Sequence, residues 1–181
     1  MAATHKSRRI QALLIGLAVA IVLAFAYTVY LQQQAPDEPV LHDDQGQVLQ
    51  LTNIQLDNNN TLIESLNKSQ VNYILFTGSW CPHCKIVRNF ISDHQLEDKI
   101  ASDFFVFAEK EDPQTLQAYF PAVPTYLDNN WQLFDETGLE HIPALIKVNS
   151  KGELLERMEG ETAITSYLSK LYGIDNASTQ S

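Results

Sequence analysis

The chain has 181 residues, 12 basic and 22 acidic, for a formal net charge of −10, and only two cysteines. That length accommodates one domain and an appendage. All three cations of the first nine residues set aside, residues 32–181 keep a net charge of −13, which argues against nucleic acid and anionic lipid surfaces as partners.

The chain opens with a basic stretch, residues 1–9, holding Lys6, Arg8 and Arg9 and no acid. From Ile10 to Leu31 run 22 residues without formal charge, enough for about 33 Å of helix and so for a membrane crossing. Positive charge before this run and Asp37-Glu38 after it predict a cytoplasmic N-terminus, with the rest of the chain outside. Ala24-Phe25-Ala26 has the small-x-small form of a signal-peptidase site. The apolar run continues past that point, which favours a retained anchor over a cleaved signal. Residues 32–39 read as a polar, proline-stiffened tether.

Val40-Leu41-His42 and Gln47 to Leu51, with a turn near Gly46, predict a hairpin. Thr61-Leu62-Ile63-Glu64 has capping-box spacing and should start a short helix reaching about Leu66. Val71 to Phe76 is rich in residues that favour a buried strand. Directly after it comes Thr77-Gly78-Ser79-Trp80-Cys81-Pro82-His83-Cys84-Lys85. Ile86, Val87, Phe90 and Ile91 then recur at helical period, predicting a helix that fades near Asp93 or His94. Phe104 to Ala108 is a second buried strand, and Asp112-Pro113 opens a helix through Tyr119 that Pro121 stops. Within Pro121 to Glu140 the pattern gives a short strand at Pro124 to Leu127 and a helix from Trp131 to Thr137, closed by Gly138. Ala144 to Val148 and Leu154 to Met158 form a hairpin, and Ile164 to Tyr172 a last amphipathic helix ending at Gly173. Residues 174–181 are expected to be a flexible tail.

The cysteine pair thus falls where a strand ends and a helix begins. A helix N-terminus offers free amides and a positive dipole end, and both stabilise a thiolate. Pro82 suits the first turn, where its missing N–H costs nothing. Cys81 is therefore the expected nucleophile and Cys84, a turn further in and more buried, the resolving thiol, with His83 adding a donor or a positive charge. Other readings of the pair remain: a structural disulfide, inert core thiols, or half of a zinc site completed by His83, His94 or His141. Against zinc, no further cysteine exists to complete a tetrahedral set. Against a structural bridge, so short a loop removes little chain entropy. No metal and no cofactor is assigned.

Trp-Cys-x-x-Cys-Lys at a strand-to-helix junction resembles the thioredoxin superfamily. His141-Ile142-Pro143, followed by the apolar run Ala144 to Val148, is similar to that family's cis-proline loop. The resemblance covers residues 40–173 and implies an α/β thioredoxin fold: a central mixed sheet flanked by helices, here with an N-terminal hairpin and a central insertion and preceded by one transmembrane helix. The layout resembles the membrane-anchored TlpA-like branch, whereas Cys-Pro-His-Cys matches the DsbA type. The first hint points to a reductant or isomerase and the second to an oxidant.

Two departures from the family bear on the chemistry. Thioredoxin and DsbA carry a buried acid six positions before the first cysteine, where this chain has Leu75. Glu109 is a candidate substitute, although an exposed strand-end glutamate is the plainer expectation. Without a carboxylate nearby, the Cys81 thiolate is repelled less, which favours the dithiol and an oxidising couple. His141, two before Pro143, is the other candidate modulator: it either adds positive charge near Cys81 or caps the loop.

The resemblance implies exchange with protein thiols and disulfides, the substrate lying extended against Ile142 and Pro143 as an added strand. Trp80 would supply apolar contact to it, unless it is a packed core tryptophan. The expected activity is disulfide formation in extracytoplasmic proteins by a single-pass protein of the inner membrane, its catalytic domain periplasmic. Alternatives are a reductase or isomerase, a metal-handling protein, and a redox-inactive interaction module. A redox partner is required, for which a membrane protein is one candidate, and nucleic acid is not expected.

Overall fold

The computed structural model describes residues 17–27, 38–51, 54–56, 60–67 and 71–174, and the chain divides into two compact units, Met1–Glu38 and Pro39–Ser181. In the first unit, residues 17–27 form helix α1, exposed along its length. Among the described residues no helix is long and apolar enough to cross a membrane. Residues 10–16 and 28–31 of the predicted span, the basic N-terminus and most of the tether lie outside the described residues, as does the predicted tail from residue 175.

The second unit is built on a five-stranded mixed sheet. Its strands are β1 (Asn72–Thr77), β2 (Phe104–Ala108), β3 (Thr125–Leu127), β4 (Ala144–Val148) and β5 (Leu154–Glu159), in the spatial order β3-β2-β1-β4-β5. β1 runs parallel to β2, and β2 to β3, while β4 is antiparallel to both β1 and β5. Every residue of β1 and β2 is buried, as expected of continuous apolar runs covered on both faces.

Alternation along these strands divides the core into two layers. Tyr73, Leu75, Phe104, Val106 and Leu145 face helices α3 (Pro82–Asp93), α5 (Pro113–Tyr119) and α7 (Glu161–Tyr172) through Val87, Ile91, Leu116, Ile164 and Leu168. Ile74, Phe76, Phe105, Phe107 and Ile146 face the opposite way, toward α2 (Leu62–Ser65) and α6 (Gln132–Glu136) through Leu62, Leu133 and Phe134. Phe76 packs edge-on to Phe134, with ring centroids 5.4 Å apart.

Local signals set most boundaries. Thr61 and Glu64 make the reciprocal capping box at α2. Asp112 caps α5 by accepting the Thr115 N–H at 2.7 Å, with Pro113 in the first turn. The N-terminal hairpin pairs Leu41 with Leu49 about the Asp43–Gly46 turn and hydrogen-bonds to Leu154, as isolated bridges rather than continuous strands. The central segment supplies the edge strand β3 and the short α6, whose Leu133 is fully buried.

Three expectations need correction. Ile86, assigned to the apolar face of α3, is 49% exposed, because the buried stripe is centred on Cys84, Val87 and Ile91. A further helix, α4 (Glu97–Ile100), follows α3 and is anchored by buried Leu96 and Ile100. α7 begins at Glu161, three residues before the predicted start, so that its first turn reaches His83, between the two cysteines.

Candidate active site

β1 delivers the chain to the sheet end at Thr77, and α3 starts five residues later. Between them Cys81 stands as the N-cap of α3, in extended conformation (φ −84°, ψ 119°), with Pro82 in the first turn. Its sulfur accepts the Cys84 N–H at 3.3 Å and lies 3.8 Å from the Ile142 carbonyl oxygen, to which the thiol can donate. A sulfur capping a helix occupies the place of the usual capping oxygen, where an orphan amide needs an acceptor. The Ile142–Pro143 peptide is cis.

Both cysteines are thiols. They differ little in exposure, 5% for Cys81 against 2% for Cys84, so the expected contrast between an open nucleophile and a sealed partner is small. Burial, and then the neighbouring Cys81, push the Cys84 thiol up to about 12, against a weaker opposing pull from the Thr77 hydroxyl and the Gly78 backbone. Thr77 is itself buried at the end of β1. Leu75, at the position of the family's acid, is buried in the apolar layer under α3 with Val87 and Ile91.

Trp80 is 54% exposed, which removes the packed-core alternative for it. Its indole folds over Gly78, where a Cβ would come within 2.9 Å of the ring. His83 turns toward α7: its Nδ1 is 3.1 Å from Glu161 Oε1. His141 pairs with Glu159 Oε2 at 3.6 Å and its side chain is 78% exposed. Among the described residues, neither histidine hydrogen-bonds to a cysteine. His94 lies at the far end of α3, bonded to the Phe90 carbonyl at 2.9 Å. Among the described residues, no group of three or more His, Cys, Asp or Glu is placed to hold a metal ion.

Glu109 is 9% exposed rather than open at its strand end. It pairs with Lys110 at 3.6 Å, and its charge raises the pKa of Asp128 as one of the smaller contributions, the largest being burial of Asp128 itself. Among the described residues no hydrogen bond or ion pair joins Glu109 to either cysteine.

Sequence reasoning missed the acids that brace the site. Glu111 Oε2 accepts the Ser79 N–H at 2.6 Å, holding the loop that leads into Trp80 and Cys81. Glu159 Oε2 accepts the N–H groups of Glu140 and His141 at 3.0 and 2.7 Å, holding the loop before Pro143. Gly160 donates to the Pro143 carbonyl at 2.8 Å. The glutamates lie in other elements, and their partners are mostly backbone amides, which leave no trace in a sequence. Gly160 before an amphipathic run was the one available signal.

Residues 59–172 match the family model described as a thioredoxin-like domain. No curated protein matches the sequence. Among solved structures, a candidate thioredoxin from Neisseria meningitidis aligns at 17% identity and a TM-score of 0.50, covering 74% of this chain and 94% of that one. A candidate protein disulfide isomerase from Bacteroides thetaiotaomicron aligns at 18% identity and the same TM-score, covering 76% of this chain and 92% of the other. At such identities the likeness is one of fold. With the family model spanning most of the chain, over the same mixed sheet and Cys-Pro-His-Cys junction, this protein belongs to the thioredoxin-like family.

Proposed function

We propose that the protein is a thiol-disulfide oxidoreductase that forms disulfides in extracytoplasmic proteins through the Cys81–Cys84 couple. The observation that carries this reading is the Cys81 sulfur at the start of α3, accepting the Cys84 amide and facing the Ile142 carbonyl. A substrate strand laid beside Ile142 and Pro143 brings its own sulfur to that atom. In the oxidised protein, a substrate thiolate attacks Cys81 Sγ, the Cys81–Cys84 bond breaks, and Cys84 takes up a proton. A second substrate thiolate then attacks the substrate sulfur of the mixed disulfide. The Cys81 thiolate leaves, the substrate gains a disulfide, and the pair is left reduced by two electrons for a redox partner to reoxidise.

Two features favour this direction. Burial, the largest cause, raises the Cys84 thiol above its ordinary value, which disfavours the Cys84 thiolate that a reductase needs to attack the mixed disulfide. No carboxylate stands at position 75 to accept the Cys84 proton. A TlpA-like reductase or isomerase is the second reading, favoured by the hairpin that precedes β1. Delivery across the inner membrane, with residues 10–31 as anchor and the catalytic domain periplasmic, rests on the uncharged run and its flanking charges.

Cys81→Ser is expected to abolish exchange and Cys84→Ser to accumulate mixed disulfides with client proteins. Full activity in Cys81→Ser would remove the assignment. The equilibrium potential decides direction: near about −120 mV for an oxidant, near about −270 mV for a reductant.

A further inference from the structure

Where β5 passes into α7, three consecutive residues reach both halves of the site. Glu159 binds the Glu140 and His141 amides and lies 3.6 Å from the His141 ring. Gly160 donates to Pro143. Glu161, the first residue of α7, pairs with His83 at 3.1 Å. The turn can make all these contacts because Gly160 adopts φ 84°, ψ 152°, a conformation that L-residues rarely adopt. It therefore ties the proline loop, which faces the Cys81 sulfur, to the first turn of the helix that the sulfur caps.

The His83 ring has two uses open to it. Directed at Cys81, an imidazolium would stabilise a thiolate there and draw the couple toward the dithiol. Directed at Glu161, its charge is met by a carboxylate and its Nδ1 is occupied. The structure shows the second arrangement. Resting on the redox reading above, we propose that Glu161 is a positioning residue for the couple: through the Glu159-Gly160-Glu161 turn it anchors His83 to the proline-loop side and keeps the imidazole off the Cys81 sulfur, setting the couple less oxidising than its Cys-Pro-His-Cys sequence alone would make it. Glu161 itself ionises more readily than an ordinary glutamate, first through its own backbone N–H and then through His83.

The test is the equilibrium of the full-length purified protein with glutathione at pH 6, below the ordinary imidazole value of about 6.5. Glu161→Ala, which removes both the charge and the acceptor that hold His83, should shift the equilibrium constant roughly threefold to tenfold toward the reduced protein, about 14–30 mV for a two-electron couple. In a His83→Gln background the same substitution should shift it less than about twofold. An unchanged or opposite constant for Glu161→Ala overturns the proposal, and so does a shift of equal size without His83, which would mark a long-range charge effect. A second measurement does not depend on exchange: the side-chain carboxyl of Glu161, followed by carbon NMR, should titrate higher in His83→Gln than in the wild type. Identical titration would mean that the pair does not form. Absence of any exchange in the wild type would instead remove the redox reading itself.

Discussion

Replacing Gly160 with alanine separates the backbone requirement of the turn from any question of space. The residue sits at φ 84°, ψ 152°, and a Cβ there would meet no atom within 4 Å. The whole penalty is therefore torsional, about 1–3 kcal/mol for a residue held in this region. For a folded unit of this size that corresponds to a fall in Tm of roughly 3–8 °C. Gly46→Ala is the control: its φ is 77°, it is equally clear of neighbours, and it lies in the exposed hairpin turn. Both variants should lose stability in thermal and urea unfolding. Only Gly160→Ala should also slow exchange with a protein substrate, by about tenfold in kcat/KM if the loop at Pro143 moves by a fraction of an ångström. An unchanged Tm in Gly160→Ala would refute the torsional argument. Equal loss of exchange in both variants would show that destabilisation, not the turn, is responsible.

Two further outcomes are expected. Because the folded Cys84 thiol is raised to about 12, while an unfolded cysteine ionises near about 8.5, the unfolded dithiol chain loses its proton first. The reduced protein should then lose stability as pH rises from about 9 toward 12, while the oxidised protein, with no thiol to titrate, lacks this component; parallel urea midpoints for the two forms across that range would contradict it. Glu111→Ala leaves the Ser79 N–H without its 2.6 Å charged acceptor, which should cost about 1–3 kcal/mol, and an unaltered denaturation midpoint would show that water replaces the carboxylate at no cost.

How far the sequence is legible follows from the range of each signal. The strand, the cysteine pair and the helix after it are contiguous, and the Cys81 cap and Pro82 are local devices, so the junction could be read residue by residue. The same is true of Thr61 with Glu64 and of Asp112 with Thr115. Ile86 fits the apolar period of α3 yet lies outside its buried stripe, because period alone does not say which part of a broad stripe meets the sheet. α4 is a single turn held by Leu96 and Ile100, too short for a period to appear. Glu109 looked like a surface residue because burial at a strand end depends on what packs over it. The parts of the site contributed by Glu111, Glu159 and Glu161 exist only once the sheet order brings distant loops to one edge.

The distribution of acids around the cysteines has a consequence for how their roles can be separated. Behind the pair β1 presents Leu75, buried and apolar in the layer under α3. The carboxylates that reach the site stand at its sides, where Glu111 and Glu159 accept backbone amides and Glu161 meets His83. A carboxylate behind a sulfur raises the cost of ionising it, whereas one that satisfies an amide or an imidazole fixes a loop and has much of its own field offset. A glutamine in these positions preserves the acceptor and removes the field, while an alanine removes both. Comparing the two substitutions at each site therefore divides bracing from electrostatics, and a brace is the role of any acid whose glutamine variant keeps the potential while its alanine variant loses stability.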